Sequence, residues 1–207
     1  MSSQVQAVVL IDPLNDFLHP NGKLYPRVEE SLTKTNTIEN LRRLLHGARK
    51  AGIPIYYGLH QKYVEGNYNG WKHLKSVHKL TLEAHLFEGW GGDILAGLEP
   101  VPSNGDVVAT RHLNSNSFKN TDLDYQLRQG GREHLIFVGM ATNTCVEATA
   151  RDAAESGYKV TLITDATAGF SQELKEAATN LTWPTLYMEE VISTDEWLAT
   201  LGEKAAL

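Results

Sequence analysis

LIFVGMATNTCVEATARDAAESGY, residues 135–158, is the stretch whose reading decides the fold. Leu135 to Val138 are strand-prone and apolar, and Gly139 turns the backbone sharply. Beyond the turn, Ala148, Thr149, Ala153 and Ala154 recur at helical spacing. Thr142 or Asn143 can cap the helix start, and Glu147 falls in its first turn, where a carboxylate is favoured. Between strand and helix lies Cys145, the only cysteine in the chain. A thiol at a helix N-terminus faces unpaired N–H groups and the positive end of the dipole, which favour the thiolate. The same N–H groups can hold a developing oxyanion. This placement predicts a reactive Cys145 with a depressed pKa; the alternative is a small buried hydrophobe.

Outward from this stretch the chain alternates. Val5 to Ile11 reads as a strand covered on both faces and ends in Asp12-Pro13. A long helix follows over about 28–51, with Ile38, Leu41, Leu44, Leu45 and Ala48 on one face and Gly52 as its stop. Pro54 to Leu59 is a second strand leading to His60. Residues 61–105 are irregular, rich in glycine and aromatics, with room for two short helices. Val107 to Thr110 is a third strand running into Arg111-His112, and 122–129 a helix. The last third predicts a strand over 159–164, a helix over 172–181, a strand over 185–192 and a terminal helix from Asp195. Strands spaced by helices imply βαβ units, a mostly parallel sheet and helices on both faces, in a single domain over 1–207.

Composition narrows the function. The formal net charge of −6 and the lack of a basic cluster argue against a nucleic-acid partner. One cysteine rules out an internal disulfide framework, which suits a reducing compartment. The N-terminal apolar run is too short for a signal peptide or a membrane span, so the expectation is a cytoplasmic, soluble protein without a membrane partner. No G-x-G-x-x-G, G-x-x-x-x-G-K-[ST] or G-x-S-x-G follows a strand. His60, His73, His78 and His85 are too scattered for a designed metal site, so neither metal nor cofactor is expected. What remains is convergence: Asp12, His60, Arg111 and Cys145 each stand at or just past the carboxyl end of a strand, where parallel sheets carry their ligands.

Four motifs carry a resemblance. AVVLID (7–12) with NDF (15–17), SFKNTDLDYQL (117–127), VGMATNTCV (138–146), and GYKV (157–160) with DAT (165–167) resemble the isochorismatase-like cysteine hydrolases. The family includes nicotinamidases, N-carbamoylsarcosine amidase, ureidoacrylate amidohydrolase and isochorismatase. The resemblance covers roughly residues 5–200. It implies a six-stranded parallel sheet in a three-layer α-β-α sandwich, an Asp–Lys–Cys triad, and a cis peptide at Met140–Ala141. Asp12 would match the base and Cys145 the nucleophile, with N–H groups near Ala141 and Cys145 holding the oxyanion. For the lysine, the family pattern places a phenylalanine six residues downstream. Arg111 lies seven before Phe118, so it either replaces the lysine with one residue inserted or the lysine's role is lost. The cysteine favours C–N hydrolysis of a small amide or ureide over vinyl-ether cleavage; a binder without activity is the third reading. Phe17, His60, Trp71, Trp90 and His112 are candidates to contact a small-molecule substrate. The resemblance, and the apolar Trp197, Leu198 and Leu201, predict a homo-oligomer.

Overall fold

A computed structural model describes residues 5–186 and 188–204. Six parallel strands form one sheet: β1 (Gln6–Ile11), β2 (Ile55–Gly58), β3 (Val107–Val108), β4 (His134–Met140), β5 (Lys159–Ala168) and β6 (Glu190–Ile192). Their spatial order is β3-β2-β1-β4-β5-β6. The chain therefore builds outward from β1 on one side, returns at β4, and builds outward on the other. The carboxyl ends of β1 and β4 flank this switch point, where an open parallel sheet leaves a crevice.

Alternation along β1 builds the two cores. Val8 and Leu10 face Leu41, Leu44 and Leu45, whereas Ala7, Val9 and Ile11 face Leu123, Leu127 and Ala150. The first layer holds α1 (Asn15–Leu18), α2 (Tyr25–Lys34), α3 (Thr37–Lys50) and the terminal helix; α4 (Ser76–Ala84) lies in the long connection after β2. The second holds α5 (Leu123–Gln129) and α6 (Glu147–Glu155). One further helix, α7 (Gln172–Glu176), precedes the terminal helix, α8 (Thr194–Lys204).

Four expectations are corrected. The single helix over 28–51 is two helices, because Asn36 takes a left-handed conformation at φ 49°. Asparagine tolerates that region, and the side chain of Asn40 reaches back to the Thr35 carbonyl at 2.9 Å to close the corner. The helix over 172–181 gives way to a wider π turn over Ala177–Thr182, and the strand over 185–192 shrinks to Glu190–Ile192. Trp197, Leu198 and Leu201 do not form a free apolar face. Trp197 is buried and both leucines pack against the core, with Leu198 so close to α3 that a Cβ on Gly47 would lie 2.3 Å from it. Among the described residues, no helix is long and apolar enough to cross a membrane.

Two local devices fix the two ends of the sheet, the first at the end that carries the site. At Gly139, φ is 111° and a Cβ would lie 2.0 Å from the Ile11 carbonyl oxygen, so only glycine lets β4 run this close to β1. At the opposite end of the sheet, the fully buried Asp106 side chain accepts from the Ile55 and Val101 amides and pairs with Arg49 at 2.9 Å. It thereby joins the start of β3 to β2 and α3. Removing one partner of a buried pair leaves an uncompensated charge, so Asp106→Ala should lower unfolding free energy by about 3 kcal/mol. Denaturant titration showing a loss under about 1 kcal/mol would mean the pair is not holding the edge.

Candidate active site

Each side chain in the site follows from where a strand stops. β1 ends as the Asp12 amide donates to the Gly58 carbonyl at 2.9 Å. Asp12 then turns left-handed at φ 46°, a conformation the following Pro13 disfavours, so surrounding contacts must hold it. The turn points the carboxylate into the protein, where it is fully buried. Its Oδ1 accepts from the His60 amide at 2.6 Å and from His112 Nε2 at 3.2 Å. Its Oδ2 is buried without a hydrogen-bond partner. Burial alone would raise the Asp12 pKa, but the charge and hydrogen bond of His112, helped by His60, hold it below the ordinary carboxylate value.

His60 and His112 arrive from neighbouring strand ends. They form a parallel bridge beyond β2 and β3, with the His112 amide donating to Leu59 and the Gln61 amide to His112. Both rings are buried and meet edge-on, with centroids 5.1 Å apart. His60 Nδ1 faces the Gln61 carbonyl at 2.9 Å, while its Nε2 has no partner. Burial is the main cause lowering the His60 pKa. For His112, burial pulls downward too, but Asp12's charge and hydrogen bond prevail and its pKa is raised.

Arg111 is not the residue beside Asp12. Its guanidinium is half-buried and donates to the His60 carbonyl at 2.6 Å and the Gly92 carbonyl at 3.0 Å, clamping two loops together. Successive residues of an extended segment project to opposite sides, so the one-residue step from 111 to 112 exchanges a loop clamp for a site residue. His112 also lies six residues before Phe118, the spacing implied for the lysine, so no insertion is needed.

Cys145 lies in a π turn, Thr142–Val146, between β4 and α6. Neither Thr142 nor Asn143 caps a helix here: Thr142 pairs with the Thr167 hydroxyl at 2.9 Å instead. The peptide Met140–Ala141 that precedes this turn is cis. The thiol is buried, and its pKa is raised well above the ordinary value, not lowered. Desolvation is the largest cause, followed by the charge of the neighbouring Asp12 and the approach of its carboxylate to the thiol; the Thr144 hydroxyl and Ala141 backbone oppose them. The helix-terminus expectation fails because the widened turn buries the sulfur beside a carboxylate.

Asp12, His60 and Cys145 open onto one cavity of about 520 Å³, walled by Phe17, Leu24, Leu86, Phe87 and Phe170. Of the expected aromatic walls only Phe17 is present. Trp71 and Trp90 are exposed, the first packed edge-on against His78 and the second against His19. The unforeseen walls, Phe87 and Phe170, come from irregular segments brought in by tertiary packing. Asp16 secures one of them: its Oδ2 accepts from the Phe87 amide at 2.6 Å and its Oδ1 from the Lys23 amide at 3.1 Å. Asn114, Ser115 and Thr144 add polar atoms, while Arg27 and Lys75 stand exposed at the cavity. Among the described residues, no cluster of His, Cys, Asp and Glu is arranged to hold a metal ion.

Residues 6–196 match the family model of the isochorismatase domain, and the chain belongs to the isochorismatase family. It is 32% identical over 211 residues to a ureidoacrylate amidohydrolase of Caulobacter segnis, covering 96% of this chain and 87% of that one. A cysteine hydrolase from Pseudomonas syringae pv. phaseolicola 1448A shares the fold with a TM-score of 0.82 at 23% identity, covering 98% of this chain and 95% of the other. An isochorismatase family protein from Desulfovibrio vulgaris superposes with a TM-score of 0.73 at 26% identity, over 98% and 99% of the two chains.

Two outcomes follow from the electrostatics. Asp12, with a lowered native pKa, contributes stability that is present above the unfolded value near 4 and lost as pH falls through the native one. His112, with a raised native pKa, contributes stability that is present below about 6.5 and lost as pH rises through the native one. A plot of Tm against pH should therefore fall on both sides, and His112→Gln should flatten the alkaline side. Iodoacetamide should alkylate Cys145 slowly at pH 7. A rate at or above that of a free thiol, whose pKa is about 8.5, would contradict the buried placement beside Asp12.

Proposed function

We propose that this chain is a cysteine amidohydrolase that cleaves the C–N bond of a small amide or ureide. The observation that carries the reading is the meeting of Asp12 and Cys145, from separate strand ends, on one cavity with a buried carboxylate oxygen unpartnered. The named activity of the Caulobacter segnis relative supports it.

The chemistry proceeds in two halves. The Cys145 proton passes to Asp12 Oδ2 as the sulfur bonds to the substrate carbonyl carbon, and the carbonyl electrons move onto oxygen. Backbone N–H groups near Ala141 and Cys145 receive that oxyanion. The oxyanion collapses, the C–N bond breaks, and Asp12 returns the proton to the leaving nitrogen. Water, deprotonated by Asp12, then attacks the thioester and releases a carboxylic acid, or a carbamate from a ureide, regenerating the thiol. A raised thiol pKa suits this order, because the proton leaves only as the carbon–sulfur bond forms. His60, neutral and with Nε2 free, accepts an N–H of the substrate.

The cavity also suggests a charge for the substrate. Arg27 and Lys75 line it, and neither makes a side-chain ion pair among the described residues. A carboxylate on the substrate would complete this rim. The intact Cys145 favours amide over vinyl-ether cleavage, since thioester chemistry needs the thiol.

Ammonia or amine release from ureidoacrylate, N-carbamoylglycine and benzamide tests the reading. The two carboxylates should turn over faster than the neutral amide. Cys145→Ala should reduce kcat by at least ~10³-fold, and Asp12→Asn by ~10²–10⁴-fold. Turnover surviving in Cys145→Ala would reject the thioester. Arg27→Ala should raise KM for the carboxylates about tenfold with kcat nearly unchanged. An unchanged KM in both Arg27→Ala and Lys75→Ala would remove the anionic substrate from the proposal.

A further inference from the structure

The two ring nitrogens of His112 face only acceptors. Nε2 points at Asp12 Oδ1 at 3.2 Å, and Nδ1 at the carbonyl oxygen of Asn114. A neutral imidazole carries one N–H and one lone pair, so either tautomer would aim a lone pair at an oxygen. The ring is wholly buried, so bulk water cannot relieve that clash. With Asp12 ionised, as its lowered pKa has it, only the doubly protonated ring satisfies both contacts. We infer that His112 works as an imidazolium that keeps Asp12 ionised and aims its free Oδ2 at Cys145, so that turnover requires this cation and the Asp12 carboxylate together. The inference rests on the cysteine-hydrolase reading and deepens it.

The charges around the ring come from every strand end that meets it. Asp12, beyond β1, supplies the negative charge. His60, beyond β2, is held neutral by burial, and its proton is committed to the Gln61 carbonyl. Arg111, next in the chain, opposes protonation of His112, but its guanidinium is turned to the His60 and Gly92 carbonyls. His78 bonds the Asn114 side chain at 2.7 Å, fixing the loop whose carbonyl faces Nδ1. Cys145 is uncharged at rest. The net result is a raised His112 pKa, in agreement with the hydrogen-bond geometry.

The proton count is simple. The Cys145 proton moves to Asp12 Oδ2, negative charge passes to the carbonyl oxygen, and His112 keeps both its protons throughout. His112, expected to contact the substrate, is not among the side chains that line the cavity, so it is a positioning residue acting through Asp12. A lysine in this role would stay charged to about pH 10, whereas a histidine loses its proton nearer neutrality. The hydrolase should therefore lose activity on the alkaline side as pH rises through the His112 pKa, and on the acid side as Asp12 becomes protonated.

The test is an NMR titration of the ¹⁵N-histidine-labelled protein together with pH–rate profiles on the most rapidly hydrolysed of the three probes. At pH 7 both His112 nitrogens should be protonated, with a midpoint above the ordinary histidine value that falls in Asp12→Asn. A singly protonated ring at pH 7 overturns the inference. His112→Gln should lower kcat by ~10²-fold. His112→Lys should recover most of that loss and move the alkaline limb up by at least one pH unit. A purely structural histidine would give no rescue and no movement of the limb. Should His112→Lys fail to fold, the wild-type titration decides alone. Undiminished turnover in Cys145→Ala would overturn the cysteine reading and the turnover requirement with it, and the NMR result would still report the ring's charge separately.

Discussion

A carboxylate withdrawn from bulk water has to be compensated by the protein, and the arrangement of this sheet edge follows from that need at Asp12. Taking such a charge out of water costs several kcal/mol unless hydrogen bonds and an opposite charge replace the solvent. The His60 amide and the His112 ring supply them, and both depend on β2 and β3 ending level with β1. The left-handed turn at Asp12 is held by the same set of contacts. Compensation is complete at Oδ1 and deliberately incomplete at Oδ2, which leaves one strong acceptor beside the thiol.

The thiol shows how two electrostatic effects compete. A helix terminus lowers a thiol pKa through partial charges, whereas burial against a full negative charge raises it, and the second is stronger at short range in a dry site. Cys145 therefore rests as a thiol while Asp12 rests as a carboxylate. In the proposed mechanism the nucleophile forms only when a carbonyl takes up the charge.

Much of the fold was legible because a parallel sheet writes itself into sequence as apolar runs separated by amphipathic helices. That Asp12 and Cys145 would meet at one cavity was legible for the related reason that both stand where strands of such a sheet end. The break at Asn36 was not, since the apolar face of the helix continues across it. Arg111 and His112 were confused because no periodicity marks which of two adjacent residues on an irregular strand end points inward. Trp71 and Trp90 stood out by residue type, but side-chain size says nothing about which wall a loop will form. Phe87 and Phe170 became visible only once the loops were folded.

Asp16 has a consequence for how such a pocket can change over time. Its carboxylate grips the backbone amides of Lys23 and Phe87, not their side chains, and Gly91 lies against it so closely that a Cβ there would be 2.6 Å from Oδ1. The frame of the pocket is thus fixed through groups that every residue possesses. Side chains on that frame can be exchanged without shifting the reacting atoms, so selectivity is free to drift while the chemistry stays in register.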